Sequence, residues 1–275
     1  MERLPYRAAM TPGLSIVLPA YNEASALRAG RLGDVLAWRD RQPFDVEVVV
    51  VDDGSEDDTA ARAEALLRAP DRLVRIAHAG KAAAVMAGIE AARAPVVLFT
   101  DMDQATPIAH AGDLLAALEA GADVALGSRG FRRPGAPVGR LAMSWGQAAL
   151  RTLLLGLALP DTQCGFKAFR RDAVLRVFDH LRLYHPDRRG TIHGPSVTSG
   201  FDVEVLFVAR RLGYRLASVP VTWHYEASRR VDLRRDALRG VQDLLAIAVA
   251  RWRGAYAAAS AMPASVALRS GAAEG

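Results

Sequence analysis

Five short apolar runs, each followed by a stretch of helical periodicity, decide what the first half of this chain can fold into. Residues 14–18, 46–51, 73–77, 96–100 and 124–127 are short and mostly apolar, and read as strands. Between them, 23–39, about 57–68, 82–92 and 109–120 carry helical patterns. Strands joined by helices of this length imply right-handed crossovers and a mainly parallel, Rossmann-like sheet flanked by helices: an α/β fold. Ligands of such sheets gather at the carboxyl ends of the strands. The polar clusters fall there, at 19–23, 52–55, 80–81, 101–103 and 127–129. Five loops meeting on one edge predict a site.

The second half is less regular. Residues 134–137 read as a loop, 141–157 as an apolar helix, and 161–169 as a polar connection leading to strand and helix. Residues 184–200, rich in His, Pro, Gly and Arg, read as a long loop, and 215–220 as a late strand. Leu233, Ala237, Val241, Leu244, Ala248 and Trp252 recur at helical spacing. The expected organisation is a tail over 1–12 and a single domain over 13–226. A nucleotide half runs to about 130 and an acceptor half from 131; an amphipathic C-terminal helix over 227–256 and a small-residue tail over 257–275 follow.

With 275 residues the chain can bury one substantial core. Its net charge of +5 comes from 35 basic and 30 acidic residues, and among the basic ones only Lys81 and Lys167 are lysine. No nucleic-acid-binding motif accompanies the arginines, so no nucleic-acid partner is expected. Cys164 is the only cysteine, which excludes an intrachain disulfide and suits a reducing compartment. Residues 1–12 lack the apolar core of a signal peptide, and no run approaches the ~20 apolar residues that span a bilayer. A cytoplasmic location follows as the expectation. Helix 233–252 is flanked by Arg229, Arg230, Arg234, Arg235, Arg251 and Trp252, which would suit peripheral contact with the inner membrane face. The alternative is a helix packed on the sheet with a solvated face.

Asp101-Met102-Asp103 ends the fourth apolar run. Alternate residues of an extended segment project to one side, so the two carboxylates can converge and would then need a cation between them. A hard divalent ion, Mg²⁺ or Mn²⁺, carrying a diphosphate is the natural candidate. Asp52-Asp53-Gly54-Ser55 ends the second run, where a carboxylate can accept from a nucleobase N–H or ribose hydroxyls. Ser55 or Asp57 could equally cap the helix that follows, as Asn22 could cap the one after the first strand. Asp202, ahead of 206–212, can cap the helix that follows.

Taken in order, 15–23 (Ser-Ile-Val-Leu-Pro-Ala-Tyr-Asn-Glu), 51–55 (Val-Asp-Asp-Gly-Ser), Gly80-Lys81 and Asp101-Met102-Asp103 resemble the inverting family-2 glycosyltransferases of the GT-A fold. Gly127-Ser128-Arg129, 161–167 (Asp-Thr-Gln-Cys-Gly-Phe-Lys) and 200–204 (Gly-Phe-Asp-Val-Glu) resemble the polyprenyl- and dolichyl-phosphate glucosyltransferase and mannosyltransferase branch. The likeness runs from about residue 13 to 226. It implies a nucleoside pocket lined by Pro19, Tyr21 and Glu23, with Asp52 on the base and Asp53 beside it. Lys81 would lie near the nucleotide, Asp101 would meet ribose or metal, and Asp103 would ligate metal through the diphosphate. Arg129 and Arg140 would neutralise the diphosphate or an acceptor phosphate, and Gln163 and Lys167 would contact sugar or phosphate. Asp202 would act as general base or orient the substrate, and His224 could approach the metal.

The implied activity is transfer of a hexose, glucose from UDP-glucose, to a polyprenyl-phosphate acceptor. A soluble hydroxylated or phosphorylated acceptor, and a non-catalytic nucleotide-sugar-binding module, remain alternatives. The mannosyl branch carries a metal-binding glutamine where this chain has Ala105, and the Gln104-Ala105-Thr106-Pro107 continuation looks more like the glucosyl branch. The membrane helices appended to many relatives have no counterpart in this sequence.

Overall fold

The computed structural model describes residues 13–129, 138–185, 199–224 and 233–257. In the first half, β1 (Leu14–Ala20) leads to α1 (Ala24–Arg28) and α2 (Arg31–Arg39). Then come β2 (Val46–Asp52), α3 (Thr59–Leu66), β3 (Arg72–Arg75), α4 (Lys81–Ala91) and β4 (Val96–Thr100). A 3₁₀ turn (Ile108–His110), α5 (Ala111–Glu119) and β5 (Val124–Ser128) complete it. The second half contains α6 (Val138–Leu155), β6 (Phe166–Arg170), α7 (Arg171–Asp179), α8 (Ser199–Arg211), β7 (Leu216–Pro220) and α9 (Leu233–Trp252).

The strands form one 7-stranded sheet in the order β3-β2-β1-β4-β6-β5-β7. All neighbours are parallel except β6, which runs antiparallel to both β4 and β5. The order reverses between β1 and β4, and a crevice opens at such a switch point beyond the carboxyl ends. Because β6 is reversed, its amino end lies at that same edge: Phe166 pairs with Thr100, the last residue of β4.

Period-two alternation sends the side chains of each strand to two cores. Leu14, Ile16 and Leu18 pack with Leu27, Leu32, Val35, Ala63 and Leu114, under α1, α2, α3 and α5. Val17, Val49, Val51 and Phe99 pack with Val85, Ile89, Val174, Leu206 and Ile247, under α4, α7, α8 and α9. Both faces are therefore covered, which accounts for the unbroken apolar run of β2.

Three local expectations differ from this structure. The helix expected over 23–39 is two helices, because Gly30 adopts φ 81° between them. The polar connection expected over 161–169 already contains most of β6, whose Lys167 breaks the apolar pattern of a central strand. The loop expected over 184–200 ends earlier, since Ser199 and Gly200 open α8. The loop at 134–137, the tails over 1–12 and from 258 on, and residues 186–198 lie outside the described residues.

Candidate active site

Two loops build the amino-terminal side of the crevice, and hydrogen bonds run between them in both directions. The Ser55 hydroxyl accepts from the Asn22 amide at 3.0 Å, and Asn22 Oδ1 accepts from the Glu56 amide at 2.9 Å. The Glu23 amide donates to Thr59 Oγ1 at 2.8 Å, and the Ala24 amide, first in α1, donates to Asp57 Oδ2 at 3.3 Å. Asp57 Oδ1 also accepts from the Thr59 amide at 3.0 Å. Asn22 is therefore not the cap of the helix it precedes; Asp57 takes that place from the neighbouring loop. Asn22 sits at φ 53°, a conformation asparagine tolerates better than most residues.

Between these loops lie the residues expected at the nucleoside. Pro19 is half-buried near the end of β1, and Tyr21 stacks on His78 with ring centroids 4.0 Å apart. Asp52 is buried at the end of β2, with Oδ1 accepting from the Ser55 amide at 3.1 Å. Asp53 is also buried; its Oδ1 takes the Ala79 amide at 2.8 Å and its Oδ2 the Gly80 amide at 2.9 Å. Asp53 thus fixes the residues leading into Lys81 rather than presenting a free carboxylate to a ligand.

β4 ends at Thr100, and Asp101 to Asp103 enter a turn instead of continuing the strand. Strand alternation does not align the two carboxylates there: Met102 is buried and both aspartates remain partly exposed. Asp101 Oδ1 pairs with Lys81 Nζ at 2.5 Å, and Asp103 Oδ1 accepts from the Ala105 amide at 3.0 Å. Gln104, at φ 53°, folds its amide back onto the Asp101 carbonyl at 2.8 Å and braces the turn. The His224 amide donates to the Ala105 carbonyl at 2.8 Å, which brings His224 beside this turn with an exposed side chain. Among the described residues no three His, Cys, Asp or Glu side chains form a ready-made metal cluster. The donor set at the turn is two carboxylates, and it fits Mg²⁺ or Mn²⁺, which take hard oxygen ligands and need only one or two from protein when a diphosphate supplies the rest.

Segment 161–167 joins the remaining parts. Arg129, just beyond β5, grips Asp161 with both arms of its fork, Nε to Oδ2 at 2.6 Å and Nη2 to Oδ1 at 3.0 Å. Burial alone would raise the Asp161 carboxyl; the Arg129 guanidinium and the Gln163 and Arg129 amides outweigh it and hold it well below the usual carboxylate range. The Arg129 guanidinium also lies over the Trp223 ring, 5.7 Å from its centroid. Gln163 is exposed at this loop, and burial pushes the Cys164 thiol up, which leaves it a packing residue. Gly165 passes directly beneath the Asp101 carboxylate. The Lys167 ammonium, fully buried, donates to the Cys164 carbonyl at 2.6 Å and to Asp202 Oδ1 at 2.7 Å.

Asp202 lies in the first turn of α8, inside the helix rather than at its cap. Glu204, two residues on and fully buried, anchors that helix. It accepts from the Arg182, Leu183 and Tyr184 amides at 2.7, 3.0 and 2.9 Å and from the Tyr256 hydroxyl at 2.6 Å. Arg140 lies in α6, at a position whose side chain is outside the described residues. The expected residues of the two halves are thus linked through shared partners: Asp53 to the Lys81 loop, Lys81 to Asp101, Asp101 over Gly165, and 161–167 to both Arg129 and Asp202. Sequence reasoning named the 161–167 motif but not Asp161, Gly165 or Trp223 individually. The spacing of a bidentate ion pair 32 residues apart carries no local signal.

The family model described as Glycosyl transferase family 2 matches residues 15–178. This chain is a family-2 glycosyltransferase. It is 36% identical over 247 residues to Glycosyltransferase AglD of Haloferax volcanii, covering 86% of this chain and 37% of that protein, so it spans well under half of that relative. A dolichyl-phosphate beta-glucosyltransferase of Drosophila melanogaster is 32% identical over 230 residues, covering 76% of this chain and 66% of that one. The Saccharomyces cerevisiae protein of the same name is 27% identical, covering 88% and 76%. Among solved structures, mannosyl-3-phosphoglycerate synthase of Rubrobacter xylanophilus matches with a TM-score of 0.61 at 22% identity, covering 88% of this chain and 75% of that one. Glucosyl-3-phosphoglycerate synthase of Mycobacterium tuberculosis, in complex with Mn²⁺, UDP and product, matches at 0.57 and 22%, covering 93% and 82%. These structural likenesses establish the GT-A fold that the family-2 motifs led one to expect.

Proposed function

We propose that this glycosyltransferase moves glucose from UDP-glucose to a polyprenyl phosphate with inversion at the anomeric carbon. The observation that carries the reading is the convergence of Asp101, Asp103, Lys81, Arg129 and Asp202 around segment 161–167 at the carboxyl edge of the sheet. The dolichyl-phosphate beta-glucosyltransferases at 27–32% identity support the sugar and the class of acceptor.

A divalent cation bound at Asp101 and Asp103 would neutralise charge on the departing nucleoside diphosphate. Tyr21, His78 and Asp52 enclose the place for the base. Lys81 can transfer from Asp101 to a phosphate oxygen, and Arg129 retains donors beyond those given to Asp161. Asp202 faces the acceptor side: it would take the proton of a hydroxyl acceptor, or orient an already anionic phosphate.

The outer face of α9 supports a lipid-borne acceptor. Leu244, Ile247 and Ala248 bury one side of the helix, while Leu238, Leu245, Val249 and Trp252 stand exposed along an adjoining face. Trp145 and Leu153 are exposed on α6, which packs beside α9. Arg239 and Arg253 flank the apolar stripe, a composition suited to an anionic lipid interface. No helix among the described residues is long and apolar enough to cross a membrane.

The test is transfer of radiolabelled glucose from UDP-glucose to a short-chain polyprenyl phosphate in the presence of Mn²⁺, with GDP-mannose as competing donor. Co-flotation with anionic vesicles is measured alongside. Transfer only to water-soluble acceptors, without flotation, would reject the lipid acceptor; nucleotide-sugar binding with no transfer to any acceptor would indicate a binding module.

A further inference from the structure

Lys167 occupies a position that its strand reserves for an apolar side chain. β6 is a central strand, paired with β4 on one side and β5 on the other, and Lys167 stands opposite Phe99 and Leu126. Phe166 and Ala168 point into one core, whereas Phe169, two residues on, packs in the core beneath α8. Lys167 shares the Phe169 side, with its ammonium 5.2 Å from the Phe99 ring centroid. It is 1% exposed.

An ammonium in such a place carries a desolvation cost that a packed Leu or Met would not. Its partners are the Cys164 carbonyl and Asp202 Oδ1, and Asp202 keeps a 14% exposed side chain directed out of the core. Among the described residues Asp202 Oδ2 has no protein partner, so one oxygen is held and the other is left for a ligand. We propose that Lys167 is the positioning residue for Asp202, and that it does not itself touch sugar or phosphate. The same ammonium ties Asp202 to the carbonyl beside Gly165, and so sets the distance between the acceptor side and the metal turn. This inference rests on the reading of Asp202 as the group that meets the acceptor.

The test is a double-mutant cycle on Lys167→Met and Asp202→Asn, assayed with UDP-glucose and a short-chain polyprenyl phosphate, with UDP–Mn²⁺ affinity measured by calorimetry. Lys167→Met is expected to lower kcat by at least about 10-fold while KM for UDP-glucose and the UDP–Mn²⁺ affinity stay within about 3-fold. In the Asp202→Asn background the same change should cost less than about 2-fold, because the carboxylate it serves is already gone. The double variant removes both charges together and guards against loss of folding in the single one. A rise in KM at unchanged kcat would make Lys167 a direct substrate contact and overturn the inference, as would full additivity of the two losses. Wild-type kcat in Asp202→Asn would overturn the assignment of Asp202 and this inference with it, whereas wild-type kcat in Lys167→Met alone would overturn only the latter.

Discussion

A Cβ built on Gly165 would stand 2.1 Å from Asp101 Oδ2 and 2.7 Å from Asp101 Cγ, so the carboxylate rests on bare backbone. Nothing larger than hydrogen fits between them. Gly165 lies outside the left-handed region, so an alanine there meets a packing conflict and not a dihedral one. Gly165→Ala is expected to displace Asp101 and cost about 1–3 kcal/mol. Its signature is loss of the Mn²⁺-dependent Tm rise given by UDP, measured by thermal denaturation.

Asp103→Asn separates charge from turn geometry. The amide oxygen can still accept from the Ala105 amide, so the ligand-free Tm should move by less than about 3 °C. Loss of the anionic ligand should nevertheless lower Mn²⁺-dependent transfer by roughly 100-fold. Retention of full transfer at low micromolar Mn²⁺ would remove Asp103 from the metal site.

Lys81 holds Asp101 where a metal would otherwise draw it. Lys81→Met should therefore strengthen binding of Mn²⁺ alone by several-fold while weakening UDP in its presence by roughly 10-fold, since one ion pair of about 1.4 kcal/mol corresponds to that ratio. Titration calorimetry with Mn²⁺, then with UDP, resolves the two opposite changes.

The Arg129–Asp161 pair makes acid stability measurable. Asp161 titrates below its unfolded value, so its contribution is complete above about pH 4 and is lost as pH falls through the folded pKa. Asp161→Asn should flatten the decline of Tm below pH 4. At pH 7 the same variant should be less stable by on the order of 1–3 kcal/mol, because the half-buried Arg129 loses its counter-charge. An unchanged acid slope would show that other carboxylates govern it.

The strands, their order along the chain and the edge where the site forms were legible because each rests on local periodicity and on the rule that parallel sheets bind ligands at their carboxyl ends. The place of Asp101 and Asp103 at the end of β4 was legible, but the strand alternation expected to align them is absent, since the chain leaves the strand at Thr100 and turns. The burial of Lys167 was not legible, because a charged side chain in a polar stretch looks solvated and only the return of α8 over β6 covers it. The same holds for Asn22, whose chemistry suits its own helix but whose carboxamide turns to the Glu56 amide, while Asp57 serves its own helix through Thr59 and also takes the first amide of α1.

The hydrogen bonds shared between 20–24 and 55–59 tie the folding of these two loops together. Opening 20–24 strips acceptors and donors from 55–59, and the reverse is equally true, so both segments share one free energy of local unfolding. A substrate that orders either loop therefore stiffens both. Sequence changes at one of them are inherited by the other as a change in cooperativity, even where no ligand contact is altered.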